Sequence, residues 1–505
     1  MTAAQLPPRA APLATPACGP VQGAWEGEAA VFRGIPYAAS PVADLRFAAP
    51  RPHAAWQEPR IAIVSGPAAP QGRSPLAAVL GPNDFPQAED GCLTLDVFTP
   101  EPGSGARPVL VWIHGGGFTT GYGSGPRQSG AGLAARSGLV VVTVNFRLGP
   151  LGYLYLAGHG EGLGAGNFGL LDQIAAVRWV RDNIAAFGGD PANVTVAGHS
   201  SGALSAAAVA VSPEVSGHVR RAILLSPQLA GVATVEAATA AASEYLDVLG
   251  VASDQLDELR RVPADQLVKA ADTLAARKGP AGATPALVAG GSGLPRTVLD
   301  SFADGGLPAT DLLISTVRDE ARTFLFADPG MRSVARGQVV GLLGQFAGER
   351  AAAVYDHYAA RRPGAAPCDV AADALTDLLF RLPAVRLCEI RAEAGAPAFA
   401  CEFDWEPPTP GFGPCHGVDL PFFLGDDAAW ADAPLMAGTD PDRVRPIAHA
   451  YQELLAAFAR TGRPADRATG AWLPYVPPNR TTLMFGTVMG AVDNPNEAER
   501  RLWNT

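Results

Sequence analysis

Two patterns of apolar residues alternate along the chain. Short continuous runs, VLVWI at 109–113, LVVVTV at 139–144, VTVA at 194–197, AILL at 222–225 and DLLISTV at 311–317, have the composition of strands buried on both faces. LTLDVF at 93–98 alternates instead and predicts a half-exposed strand, while AVFRGIPYA at 30–38 and AFACEF at 398–403 are also strand-like. Between them, LLDQIAAVRWVRDNIAA at 170–186 places apolar residues at helical spacing and should stop at FGGDP, 187–191, where glycine and proline end helices. Residues 234–278, 337–362, 370–394 and 443–461 also read as helices, whereas 66–90 is a Pro/Gly-rich loop. Strands alternating with helices predict an α/β fold: a mostly parallel central sheet covered by helices on both faces, with ligands bound beyond the carboxyl ends of the strands. Residues 1–17, rich in Ala and Pro and without apolar periodicity, are expected to form a disordered arm. Residues 18–505 are expected to form a single enlarged domain with helical insertions around 234–278 and 337–394.

Composition narrows the function. Of the 505 residues 48% are hydrophobic and 17% charged, and no uninterrupted apolar run reaches the roughly 18 residues of a membrane helix, so no membrane span is predicted. A net charge of −11 repels phosphate backbones, and no Lys/Arg cluster reverses it locally, which argues against nucleic acid as a partner. Six cysteines, at 18, 92, 368, 388, 401 and 415, lack the paired spacing of a zinc site and read as thiols. The start of the chain has neither the basic residues nor the apolar segment of a secretory signal, so a cytoplasmic location is expected, with a monomer as the default state. A G-x-G-x-x-G match at 164–169 follows a loop, 158–162, rather than a strand, so it is set aside as a nucleotide site. No H-E-x-x-H, P-loop or EF-hand pattern is present, and no metal or other cofactor is implied.

The chemistry gathers around Gly198-His199-Ser200-Ser201-Gly202. A β-branched run broken by G-x-S-x-G and continued by small helix formers predicts a strand, a sharp turn and a helix, with Ser200 on the strained turn. A serine hydroxyl becomes a nucleophile only when a histidine takes its proton, and that histidine needs a carboxylate to hold its tautomer; on this architecture the order is Ser, acid, His. Three histidines lie far enough downstream. His357 and His449 fall in helical patterns, whereas His416 sits in the turn-rich GFGPCHG loop at 411–417 and is the candidate base. Asp319 and Glu320 follow the strand at 311–317 and are both candidate acids, which spacing alone does not separate. Upstream, His114-Gly115-Gly116-Gly117-Phe118 follows the strand at 109–113, as in the Gly-rich loops whose backbone N–H groups stabilise an oxyanion. Phe118, Phe324, Phe326 and Phe422 lie near these motifs and either line an apolar substrate pocket or belong to the core. His199, next to the nucleophile on a tight turn, must also lie near the substrate.

From about Gly19 to Trp503 these residues resemble the type-B carboxylesterases, the branch of the α/β-hydrolases that includes the cholinesterases. The resemblance rests on FRGIPYA at 32–38, LRF at 45–47, CLTL at 92–95, GGGF at 115–118, NFRLG at 145–149, GLLDQ at 169–173, FGGDP at 187–191 and Cys415-His416 with Leu420-Pro421-Phe422. It implies a cofactor-independent serine carboxylesterase acting on a small-molecule ester, with Ser200 as nucleophile, Glu320 as acid and His416 as base. It also implies an oxyanion hole from the N–H groups of Gly116, Gly117 and Ser201. An amidase, carbamate hydrolase or lipase would use the same residues, and an adhesion-type relative would bind a partner protein without needing them. The chain departs from the family at His199, where glutamate is usual, at Ser201, where alanine is usual, and at Ala321, where glycine is usual. The family's loop disulfide before Cys92 has no partner cysteine here, and the tryptophan that cholinesterases carry in that loop is absent, so neutral esters are expected over choline esters.

Overall fold

The structure, a computed structural model, describes residues 9–503 apart from 83, 160–163, 165, 254, 279–286, 305–309, 328, 425–426 and 465–471. Eleven strands form one mixed sheet. In chain order they are β1 (Ala24–Glu26), β2 (Ala29–Pro36), β3 (Thr94–Thr99), β4 (Gly103–Ile113), β5 (Val140–Val144), β6 (Phe187–His199), β7 (Arg221–Leu225), β8 (Asp311–Val317), β9 (Phe399–Phe403), β10 (Thr482–Phe485) and β11 (Gly490–Val492). Across the sheet the order is β1-β2-β3-β5-β4-β6-β7-β8-β9-β10-β11. The strands from β5 to β10 are parallel, and β1, β2, β3 and β11 run antiparallel to their neighbours.

Successive side chains of a strand point to opposite faces, so a continuous apolar run feeds two cores. In β4, Val109, Val111 and Ile113 enter one apolar cluster, and Leu110 and Trp112 enter the other. Helices α1 (Phe168–Asn183), α2 (Ser201–Val211) and α3 (Leu382–Glu393) supply the first cluster; α4 (Pro441–Thr461) supplies the second. Further helices cover Val235–Leu249 and Ala264–Lys278, then Arg336–Ala347, Ala351–Arg361 and Pro367–Thr376. The last of these continues through a π-helical turn, Asp377–Arg381, into α3.

Strand pairing corrects two readings of the chain. β3 is buried at all six positions rather than half-exposed, because β2 and β5 flank it and both faces are covered. The helical pattern stops before Phe187 to Pro191, as expected, and these residues open β6, since Phe187 pairs with Gly103 and Gly189 with Arg107. Residues 1–8 of the expected arm lie outside the described residues, and its remainder is tied down. Leu13–Ala14 pairs antiparallel with Val21–Gln22, and Trp25 Nε1 donates to the Ala10 carbonyl at 2.8 Å. Most of the loop at 158–162 also lies outside the described residues.

Candidate active site

The carboxyl ends of β6, β8 and the segment after β9 converge on one place. β6 ends at His199 and α2 begins at Ser201, leaving Ser200 on the turn with φ 58° and ψ −125°, a region that non-glycine residues seldom occupy. The turn is possible because its flanking glycines let backbones touch. A Cβ on Gly198 would meet the Gly202 carbonyl oxygen at 2.2 Å, and one on Gly202 would meet the carbonyl oxygens of Ile113 and His114 at 2.3 and 2.4 Å. Ser200 N–H donates to the Leu225 carbonyl at 2.9 Å, which fixes the turn to the neighbouring strand β7. The elbow is therefore clamped between β4 and β7.

The candidate acid and base come from adjacent loops. His416 Nδ1 lies 2.6 Å from Glu320 Oε2, and both side chains are buried. Backbone bonds hold the loops in register: Asp319 N–H donates to the Pro414 carbonyl at 2.9 Å, His416 N–H to the Glu320 carbonyl at 3.2 Å, and Thr323 Oγ1 to the His416 carbonyl at 2.9 Å. Asp319 and Glu320, which spacing left equal, are separated by direction. Asp319 pairs with Arg318 at 3.3 Å and Arg322 at 3.7 Å, and Glu320 faces the histidine. Burial pushes the Glu320 carboxyl up, while the N–H of Val317, 2.9 Å from Oε1, and the field of Arg381 draw it back toward the charged form. Burial also pushes the His416 imidazole down, so the free ring is neutral. With Nδ1 bound to Glu320, the buried Nε2 has no partner among the described residues and is available as a proton acceptor.

Among the described residues three rings stand around His416, those of His199 at 4.5 Å, Phe380 at 4.8 Å and Phe324 at 5.6 Å between centroids. His199 is buried, and burial together with His416 pushes its imidazole well below its ordinary value. Its Nε2 lies 3.8 Å from Asp419 Oδ1, and Asp419 is itself fully buried with neither carboxylate oxygen hydrogen-bonded among the described residues. Burial, and secondarily the charge of Glu320, pushes the Asp419 carboxyl up to about 7.

Ahead of the elbow, the Gly-rich loop follows β4. His114 stacks on Phe146 at 4.4 Å, is pushed down to about 4 by burial, and as a neutral ring donates from Nδ1 to the Gly115 carbonyl at 2.8 Å. The N–H groups of Gly116 and Gly117 have no acceptor among the described residues. Ser201, first residue of α2, carries one of the helix's unpaired first-turn N–H groups.

Other candidates fall elsewhere. Phe422 is fully buried against Phe403 and Trp405, so it is a core residue with no face left for substrate. Phe118 is buried against Tyr153 at 4.7 Å, and the Phe326 side chain lies outside the described residues. His357 pairs with Glu499 at 2.9 Å, and His449 lies on α4. Phe380, Arg381 and Asp419 were not anticipated from the chain. Asp419, three residues beyond His416, could have been found by local inspection; Phe380 and Arg381 come from the π-helical turn, whose approach to His416 is a tertiary event.

A parallel-centred sheet under helices, with a serine on a strained strand-to-helix turn and a buried His–Glu pair on neighbouring loops, defines an α/β-hydrolase. The chain belongs to the carboxylesterase family: a profile described as "Carboxylesterase family" matches residues 10–503, and the protein is a carboxylic ester hydrolase. It is 36% identical to the para-nitrobenzyl esterase of Bacillus subtilis (strain 168), covering 97% of each chain. It is also 36% identical to the phenmedipham hydrolase of Pseudarthrobacter oxydans, over 94% of this chain and 95% of that protein. Its structure superposes on that of a thermophilic PNB esterase with a TM-score of 0.86 at 35% identity, over 97% of this chain and 99% of that one.

Proposed function

We propose that Ser200 is the nucleophile, His416 the base and Glu320 the acid of a serine carboxylesterase. The observation that carries this is the buried His416–Glu320 bond with an Nε2 that has no partner among the described residues, set beside the elbow that holds Ser200. Ser200 Oγ attacks the ester carbonyl carbon while His416 Nε2 takes its proton. The oxygen that becomes negative is met by the N–H groups of Gly116, Gly117 and Ser201. His416 then returns the proton to the departing alcohol, and water repeats the sequence on the acyl-enzyme. Glu320 holds the ring's tautomer and stabilises its charged form. Phe324, half-buried beside His416, and Phe380 give the site an apolar wall suited to neutral esters of small or medium acyl groups.

The region from residue 18 onward acts as one catalytic domain, with the segments around 234–278 and 337–394 as insertions. The cytoplasm is the proposed compartment, on the thiol reading of the cysteines; all six are free. A fluorophosphonate label should attach to Ser200 and be lost in Ser200→Ala. Ser200→Ala and His416→Ala should each lower kcat by as much as about a million-fold. Normal turnover in His416→Ala with loss in His449→Ala would overturn the choice of base.

A further inference from the structure

The Gly-rich loop is held one peptide plane at a time. In a planar trans peptide the carbonyl and the following N–H point in opposite directions, so fixing one aims the other. The Gly115 carbonyl is bound by His114 Nδ1 at 2.8 Å, which aims the Gly116 N–H. The Gly116 carbonyl accepts from the Thr119 and Thr120 N–H groups at 3.1 and 3.0 Å and from both threonine hydroxyls at 3.2 Å, which aims the Gly117 N–H. The third plane is held differently. Phe118 N–H, buried and on a residue with φ 61°, donates to Ser201 Oγ at 3.3 Å.

We propose that the Ser201 hydroxyl is a positioning group for the oxyanion hole, tying the Gly-rich loop to the nucleophile elbow. The inference rests on the Ser200 hydrolase reading. Ser201 then has two separable parts. Its backbone N–H belongs to the hole, and its hydroxyl keeps the Phe118 N–H turned out of the hole while locking the loop's last plane against α2. Without that acceptor a buried N–H loses its partner, and the Gly117–Phe118 plane is free to turn toward whatever acceptor it finds. The loss falls on the transition state, because the hole's donors are needed only when the carbonyl oxygen becomes negative.

Ser201→Ala removes the hydroxyl, leaves the N–H in place and fits a buried helix start without crowding. We expect kcat to fall about tenfold with KM within about twofold, less than the loss of a hole donor itself. Inhibition by a trifluoromethyl ketone, which adds Ser200 to give a tetrahedral oxyanion, should weaken by a similar factor. A merely structural role would spare both kinetic readouts, whatever the change in melting temperature. Unchanged kcat and unchanged ketone inhibition in Ser201→Ala, in an enzyme whose Ser200 is labelled by fluorophosphonate, would overturn the proposal and leave the hydrolase reading standing. Failure of the wild type to label at Ser200 would overturn both.

Discussion

Replacing His199 by glutamate tests the electrostatics beside the proposed base most directly. The His199 and His416 rings are 4.5 Å apart. Two unit charges at that distance interact by about 4 kcal/mol at an effective dielectric of about 20, equivalent to a ceiling of roughly 3 pKa units. In the wild type that interaction is silent, because burial and the neighbouring imidazole keep His199 neutral through the working range. His199→Gln should therefore give an acid limb of kcat/KM superimposed on the wild type. A carboxylate at 199 stabilises the charged form of His416, which raises its pKa; activity is then lost at higher pH as the medium is acidified. The Glu variant's acid limb should move upward, by about 1 unit rather than about 3, because Asp419, 3.8 Å from His199 Nε2, would share the pair's negative charge. The assay is kcat/KM for a neutral p-nitrophenyl ester from about pH 3 to about pH 8, a range that reaches the titration of His416 as burial lowers it. An acid limb in His199→Glu at or below that of the wild type would refute the reasoning. A limb in His199→Gln displaced by about 1 unit would show that His199 carries charge in the wild type.

Glu320→Gln should lower kcat by about 10,000-fold, since it removes the charge that holds the catalytic tautomer, whereas Asp319→Asn should change it by less than about tenfold. Single-turnover kinetics on both variants checks this, and equal effects would reverse the assignment. Asp419 is held protonated to about pH 7 in the fold, so its contribution to stability is present at acid pH and lost as pH rises toward 7. Asp419→Asn removes that dependence: the variant should gain on the wild type between about pH 4 and about pH 8, with a ceiling of about 4 kcal/mol, and denaturant unfolding at the two ends measures it. Gly341 lies inside the helix Arg336–Ala347 with nothing within 4 Å of the place a Cβ would take, so Gly341→Ala should stabilise by about 1 kcal/mol, read as a higher unfolding midpoint without loss of activity.

Local features of this protein are written in the chain. Continuous apolar runs at 109–113, 222–225 and 311–317 are strands whose alternate residues reach two cores, and the glycines at 198 and 202 permit an elbow whatever surrounds it. His416 was legible because a histidine in a turn-rich loop after a strand has few structural uses. What pairing across long separations decides was not legible. β10 and β11 are too short to declare themselves, and β3 is buried only because β2 and β5 flank it. Asp319 and Glu320 are equivalent as letters, and only the direction of the chain after β8 turns one to Arg318 and the other to His416. The Ser201–Phe118 bond joins residues 83 apart, and Phe380 reaches His416 from the π-helical turn at Asp377–Arg381. Short-range propensities set which segments are strands and helices; the packing of those segments sets which side chains meet, because burial and hydrogen bonding are satisfied only by the assembled whole.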